Sequence, residues 1–445
     1  MCTFLNKYVK GFNIVLLALL AAFAVVLTFD SILPSESEAA TGTVRRAPIQ
    51  RGAAAQTAPS TFASGNGTQG SPFIIRTVAQ LNAFADSVNN GETYAGRHIR
   101  LGSNIDLRNV HWASIGFYCA LGGTRSFNGS FDGAGFTIFH MGAGNDARRP
   151  ASSLFGALNG ATIDNVCLQF VNITGGANVG GLAGFTMGTT VRNSRVSGAV
   201  SGHSAVGGVV GSALGGFMEN NHFSGTVTGV SGVGGLIGAV DRVSIRSSKV
   251  AGNVDGVTDV GGFVGGMLDG VVISSVVNMV TVNGERNVGG FIGNVVDSGR
   301  VERSTFNGQV RGNSNVGGIV GRLTSGSIVS SNVDGSVRGR SQAGGVIGDF
   351  LSGEIHRSTT SASVDGMFDI GGLAGRMSGG VMRNSVNSGM INGGEAVGGL
   401  VGNFASGDPV CFALESNGST GHVSGHFSTG PLVGTFPLAV SVPAN

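Results

Sequence analysis

The sequence predicts an all-β chain: a right-handed parallel β-helix (solenoid) of about ten 27-residue coils, with an N-terminal cap that contains one short helix. Three observations predict it. The pattern V-G-G-[LVFI]-[AVI]-G recurs, with the first glycine of each pair at Gly180, Gly207, Gly234, Gly261, Gly289, Gly317, Gly344, Gly371 and Gly398. The steps between them are 27, 27, 27, 28, 28, 27, 27 and 27 residues, a register that chance does not hold over nine copies. Glycine is abundant (80 of 445 residues), yet nine prolines and no Gly-X-Y period exclude collagen, and 41% hydrophobic residues argue against disorder.

Residues 1–39 read as a signal peptide or an N-terminal anchor. Lys7 and Lys10 precede an apolar run from Phe12 to Phe29, and Ser37-Glu38-Ala39 gives a small-x-small cleavage pattern. An uncleaved span is the alternative, because about 18 apolar residues can cross a bilayer. Both readings take the rest of the chain out of the cytoplasm. Residues 40–70 read as a flexible linker.

Residues 71–150 form the cap and first coils. Phe73-Ile74-Ile75 is a strand, and Thr77 with Gln80 makes a capping box that opens a helix to about Val88. Val78, Leu81, Phe84, Ala85 and Val88 supply its apolar face. Short strands follow around 98–101, 104–107 and 131–138. A solenoid end left open would recruit foreign strands, and a helix-bearing cap prevents that.

Residues 151–402 carry the repeats, with a degenerate copy at Ser153–Gly156 and a further one at Pro431–Gly434. Each copy reads as three short β stretches: the glycine motif, a stretch with one fixed apolar residue (Val191, Met218, Ile245, Val272, Val301, Ile328, Ile355, Met382), and a period-two stretch such as 223–229. Coils stacked about 4.8 Å apart give a rod of roughly 50 Å. A polar column runs through Ser194, Asn221, Ser248, Ser275, Ser304, Ser331, Ser358 and Ser385. It reads as a structural ladder, since a nucleophile would occur once beside a base rather than eight times. Residues 403–445 read as a C-terminal cap or tail, with Pro409, Pro431, Pro437 and Pro443 favouring a closed end.

These repeats resemble the GLUG-motif repeats of bacterial secreted and surface proteins. The front end resembles the segment that precedes them, in G-S-P-F-I-I at 70–75, Trp112-Ala113-Ser114-Ile115-Gly116 and the run 127–138. The resemblance implies a right-handed β-helix outside the cell, commonly part of adhesins or ancillary to surface proteases. It implies no single activity, and the chain has no H-E-x-x-H to carry a metallopeptidase.

A net charge of +2 gives no general reason to bind nucleic acid. Membrane contact is expected only through the N-terminal segment, if it is uncleaved. Cys119, Cys167 and Cys411 remain after removal of Cys2; a Cys119–Cys167 bridge and free thiols both stay open. No metal site and no cofactor are expected. Enzymes of this shape use converging carboxylates. The candidates are Asp241, Asp269 and Asp297, in three successive coils, read against the ordinary use of Asp in turns. Arg192, Arg246, Arg303, Arg357 and Arg383 lie close to one column and form a candidate binding stripe for an anionic glycan, read against a solvated face. The expectation is an exported module, adhesive or spacer, that engages a glycan or an extracellular protein without catalysis. The alternative is a polysaccharide lyase or glycoside hydrolase with its carboxylates on the solenoid flank.

Overall fold

The computed structural model describes residues 61–110, 112–119, 123–142, 153–405 and 412–435. The expected export segment, most of the linker, Cys2, Cys411 and the prolines at 409, 437 and 443 lie outside them.

Over the described residues the chain is a parallel β-solenoid of about 12 turns with one helix. Its strands fall into two long sheets, of 22 and 23 strands among the described residues, and every pairing between named strands is parallel. One coil shows the plan. Ile237–Asp241 and Val243–Arg246 lie in the first sheet, and Lys249–Asp255 and Thr258–Gly261 in the second. Each pairs with its equivalent one coil on, as Ile237 with Val264 and Val260 with Val288.

The coil thus has four strand segments in two sheets where the sequence predicts three stretches. The difference lies in the glycine motif. Ser231–Gly234 belongs to the second sheet and Ile237 begins the next strand of the first, so the motif is a corner and not a strand. A Cβ at Gly234 would collide with the carbonyl oxygen of Ile237, which is why the fold-back takes glycine. The residue after the pair (Leu182, Val209, Leu236, Phe263, Phe291, Ile319, Val346, Leu373, Leu400) turns inward and is buried.

The interior holds in-register columns of Val, Ile, Leu and Phe, including the eight fixed apolar residues from Val191 to Met382. Beside them runs the predicted polar ladder. Ser248 Oγ accepts from the Asn221 amide at 3.1 Å and donates to the Arg246 carbonyl at 2.9 Å. The same pair of bonds recurs at Ser275, Ser304, Ser331, Ser358 and Ser385. Buried polar atoms without partners would cost about 1–3 kcal/mol each, so the ladder satisfies amides left over at the second corner, where Val243–Arg246 gives way to Lys249–Asp255. The residue before each ladder position is left-handed, from Asn165 to Ser416, and Asn and Ser predominate there.

At the front, the helix Val78–Asn89 starts where predicted: Thr77 Oγ1 accepts from the Gln80 amide at 3.2 Å, and Gln80 Oε1 from the Arg76 amide at 2.8 Å. Leu81, Phe84, Ala85 and Val88 are buried against the first coils, with the Phe84 ring 5.5 Å from Phe127. Residues 61–70, expected in the linker, pack on this cap, with Phe62 stacked on Phe73 at 4.3 Å. At the far end, residues 412–435 add a further coil in which Val433 pairs with Val401, so this part is repeat and not tail.

Candidate functional site

Asp269 and Asp297 occupy equivalent turns on successive coils, and Asp241 lies one position out of that column. Asp241 pairs with its neighbour Arg242 at 3.0 Å. The Asp269 carbonyl accepts from the Arg242 amide at 2.8 Å, and Asp297 receives the Ser298 hydroxyl at 3.2 Å. No hydrogen bond or ion pair joins any two of the three carboxylates among the described residues. They serve turns.

The five arginines separate in the same way. Arg192, Arg246 and Arg383 end strands of the first sheet and share one register column. Arg303 and Arg357 occupy the left-handed corner one residue later. The column alternates in charge from Asp164 to Arg246 and holds Ile273, Glu302 and Val329 beyond it. Arg192 pairs with Asp164 at 2.8 Å, Arg383 with Glu415 at 3.3 Å, and Arg303 with Glu302, while Arg246 lies over the Phe217 ring at 5.6 Å. Arg357 is exposed. The stripe is therefore largely neutralised. The nine motif glycines form the corner column described above. Cys119 and Cys167 are free thiols, so the bridge between them is not formed.

A different cluster does converge. The residues immediately before and after the six-residue glycine motif flank the seam where the two sheets meet. Gly293 makes the approach possible, because a Cβ there would strike the backbone of Asp259 and Val260. One wall carries Asp259, Asn287, Asn315, Gln342 and Asp369, all left-handed. The other carries Asn294, Arg322, Asp349, Arg376 and Asn403, in register on five coils. Asn287 donates to Asp259 at 2.7 Å, Asn315 to Asn287 at 2.8 Å, Gln342 to Asp369 at 3.0 Å and Asn403 to Asp369 at 2.9 Å.

The centre of this seam is less complete. Arg322 Nε stands 3.6 Å from Asp349 Oδ2, an ion pair without a hydrogen bond. Asn294 Oδ1, Arg322 Nε and Asp349 Oδ1 are buried and have no hydrogen-bond partner among the described residues. Burial pushes the Asp349 carboxyl above its ordinary range, against the pull of Arg322 and Arg376, and Asp369 adds to the rise. Burial likewise raises Asp259, opposed by the Asn287 hydrogen bond, Arg322, Arg286 and Asn294. Such groups mark a candidate site. In earlier coils the same positions hold one polar pair, Ser212 donating to Asn178 at 2.6 Å, and otherwise Phe185, Ala205, Gly232, Ala239 and Gly266, so the continuous polar run belongs to the later coils. The signal for it visible in the sequence is the polar run 294, 322, 349, 376 and 403, each residue directly after a motif. Among the described residues there is no group of three or more His, Cys, Asp or Glu side chains arranged to hold a metal.

No protein-family profile matches the chain. Over 155 residues, 33% of its length, it is 34% identical to halomucin of Haloquadratum walsbyi, and it spans 2% of that protein. Among solved structures it is similar to a Bacteroides ovatus protein described as a candidate immunoglobulin A1 protease, with 17% identity and a TM-score of 0.42. That likeness covers 68% of this chain and 80% of the other. Neither likeness assigns a family or an activity.

Proposed function

We propose that the protein is an exported β-solenoid of the adhesin-like, GLUG-repeat kind. In this reading it acts as a binding or spacer module whose lateral faces engage a glycan or an extracellular protein. The observation that supports the reading is the unbroken parallel stacking of about 12 coils, which presents every outward position once per coil in a straight column. Weak contacts repeated along one ligand gain effective concentration without any single deep pocket. The lysine-flanked apolar segment in residues 1–39 supports export.

A second reading attaches to the polar seam, where two carboxyls are pushed up and Asp349 keeps an oxygen without a hydrogen-bond partner. That is a setting in which a polysaccharide-cleaving acid or base can work. One experiment separates the two. The purified chain is passed over an array of polysaccharides and matrix proteins, and the carbohydrate spots are then sized. The proposal expects retention with chains of unchanged length. Shortened chains, restored to full length by Asp349→Asn, would replace the module with an enzyme.

A further inference from the structure

We propose that the outer face beside the second corner, at Arg195, His222 and Lys249, is a binding site for an acidic polysaccharide. The inference rests on the binding-module reading and gives it a place and a ligand chemistry.

The three residues open the strands Arg195–Ser201, His222–Thr228 and Lys249–Asp255, and they pair directly, Arg195 with His222 and His222 with Lys249. Each follows a buried ladder residue (Ser194, Asn221 or Ser248), so strand alternation turns its side chain outward. Arg195 and Lys249 are exposed and His222 is half-buried. Adjacent in-register residues stand about 4.8 Å apart, so Arg195 and Lys249 flank His222 from either side and set a positive field on it. His222 registers that field: burial, then Arg195 and Lys249, hold it below the ordinary histidine range.

Elsewhere the solenoid cancels such charges between coils. Arg100 pairs with Asp132, Arg192 with Asp164, Arg322 with Asp349 and Arg383 with Glu415. A stacked arginine pair, Arg311 and Arg338, is also engaged: Arg311 donates to Gln309 at 2.7 Å, and Arg338 stands 3.8 Å from Asp365. Neither Arg195 nor Lys249 has an ion pair among the described residues. Two exposed cations without ion pairs, one on either side of His222, are matched by a ligand that brings negative charge along that line.

A linear polyanion laid along the solenoid axis does so. Hydroxyls and amides flank the line, with Asn193, Asn220 and Ser247 at the corner and Ser197 and Ser224 on the strand. They suit the neutral hydroxyls of a sugar chain, whereas a membrane surface would call for apolar groups that insert. With a net charge of +2 the chain lacks the broad basic field of a nucleic-acid binder.

The test uses the full chain with polygalacturonate as probe, and dextran and duplex DNA as controls, at low and physiological salt. Polygalacturonate should be retained, and more weakly as salt rises. R195E/K249E should weaken it about tenfold. R195Q/K249Q should weaken it less, and R311E/R338E, with the same change of charge, should leave it within about twofold. Unfolding midpoints of the variants confirm that each is folded. The proposal is overturned if R195E/K249E binds like the parent, if R311E/R338E carries the loss instead, or if dextran or DNA is held as tightly. Retention of neutral glycans or matrix proteins without polygalacturonate would also sink it, while leaving the binding-module reading in place.

Discussion

Asp349 shows how one side chain can set the local balance of a repeat protein. It is 8% exposed, Asn294 two coils before it is 5% exposed, and Arg322 between them is only loosely held. Its carboxyl is raised above 3.8, chiefly by burial, so the native state holds its proton more tightly than the unfolded chain does. Stability from this group therefore grows as pH falls from neutral through the raised native value, and the gain is complete below the ordinary carboxylate value. Asp349→Asn should raise the unfolding midpoint at pH 7 and flatten its rise toward pH 5, by thermal melts at both. A lower midpoint at pH 7 would mean that the attraction of Arg322 outweighs burial. The polar seam around Asp349 was hard to read because its walls come from different coils and different sheets: Asn403, which donates to Asp369, stands 34 residues away. The serine ladder was easy to read, because one hydroxyl recurs at one place and needs no partner wall.

Among the elements, the helix and the corners carry the most information. Thr77, Gln80 and the spacing of Leu81, Phe84, Ala85 and Val88 state a capped amphipathic helix locally, and the structure places it there. Its role as a lid depends on long-range contacts: Phe84 meets Tyr94 at 5.2 Å and Phe127 at 5.5 Å, and Asn89 Oδ1 accepts from the Gly116 amide at 2.9 Å. Phe84→Ala should cost about 3–5 kcal/mol and loosen the first coils, read as a lower denaturant midpoint together with faster amide exchange at Ile99 and Phe131. A change confined to the helix would show that it covers nothing. The glycine motif was legible as a repeat but not as a corner, because V-G-G-L-I-G carries β-compatible residues on both sides of the glycines until the collision at Gly234 is considered. The 28-residue spacings were likewise visible without their causes. One is a bulge that turns Met279 outward, and the other an extra residue in the turn at 297–298.

For the whole molecule, everything depends on register. The hydrophobic columns, the serine ladder, the polar seam and the line of Arg195, His222 and Lys249 all follow from coils stacked in parallel with equivalent residues opposite. The 27-residue period made that stacking legible over most of the chain. The number of coils was less so, since degenerate copies at both ends lack the full motif: Ile115 and Phe155 pair at the front, and Val433 pairs with Val401 at the back. Directly opposed residues can be bridged, because a disulfide spans Cα atoms about 4.4–6.8 Å apart. The most direct measurement is therefore cross-linking in a background with the native cysteines replaced by serine. Thr226→Cys with Asn253→Cys, an in-register pair on neighbouring coils, should form a disulfide under mild oxidation. Thr226→Cys with Asp255→Cys, two residues out of register, should not. The reverse preference, or equal yields from both, would contradict the stack on which the account rests.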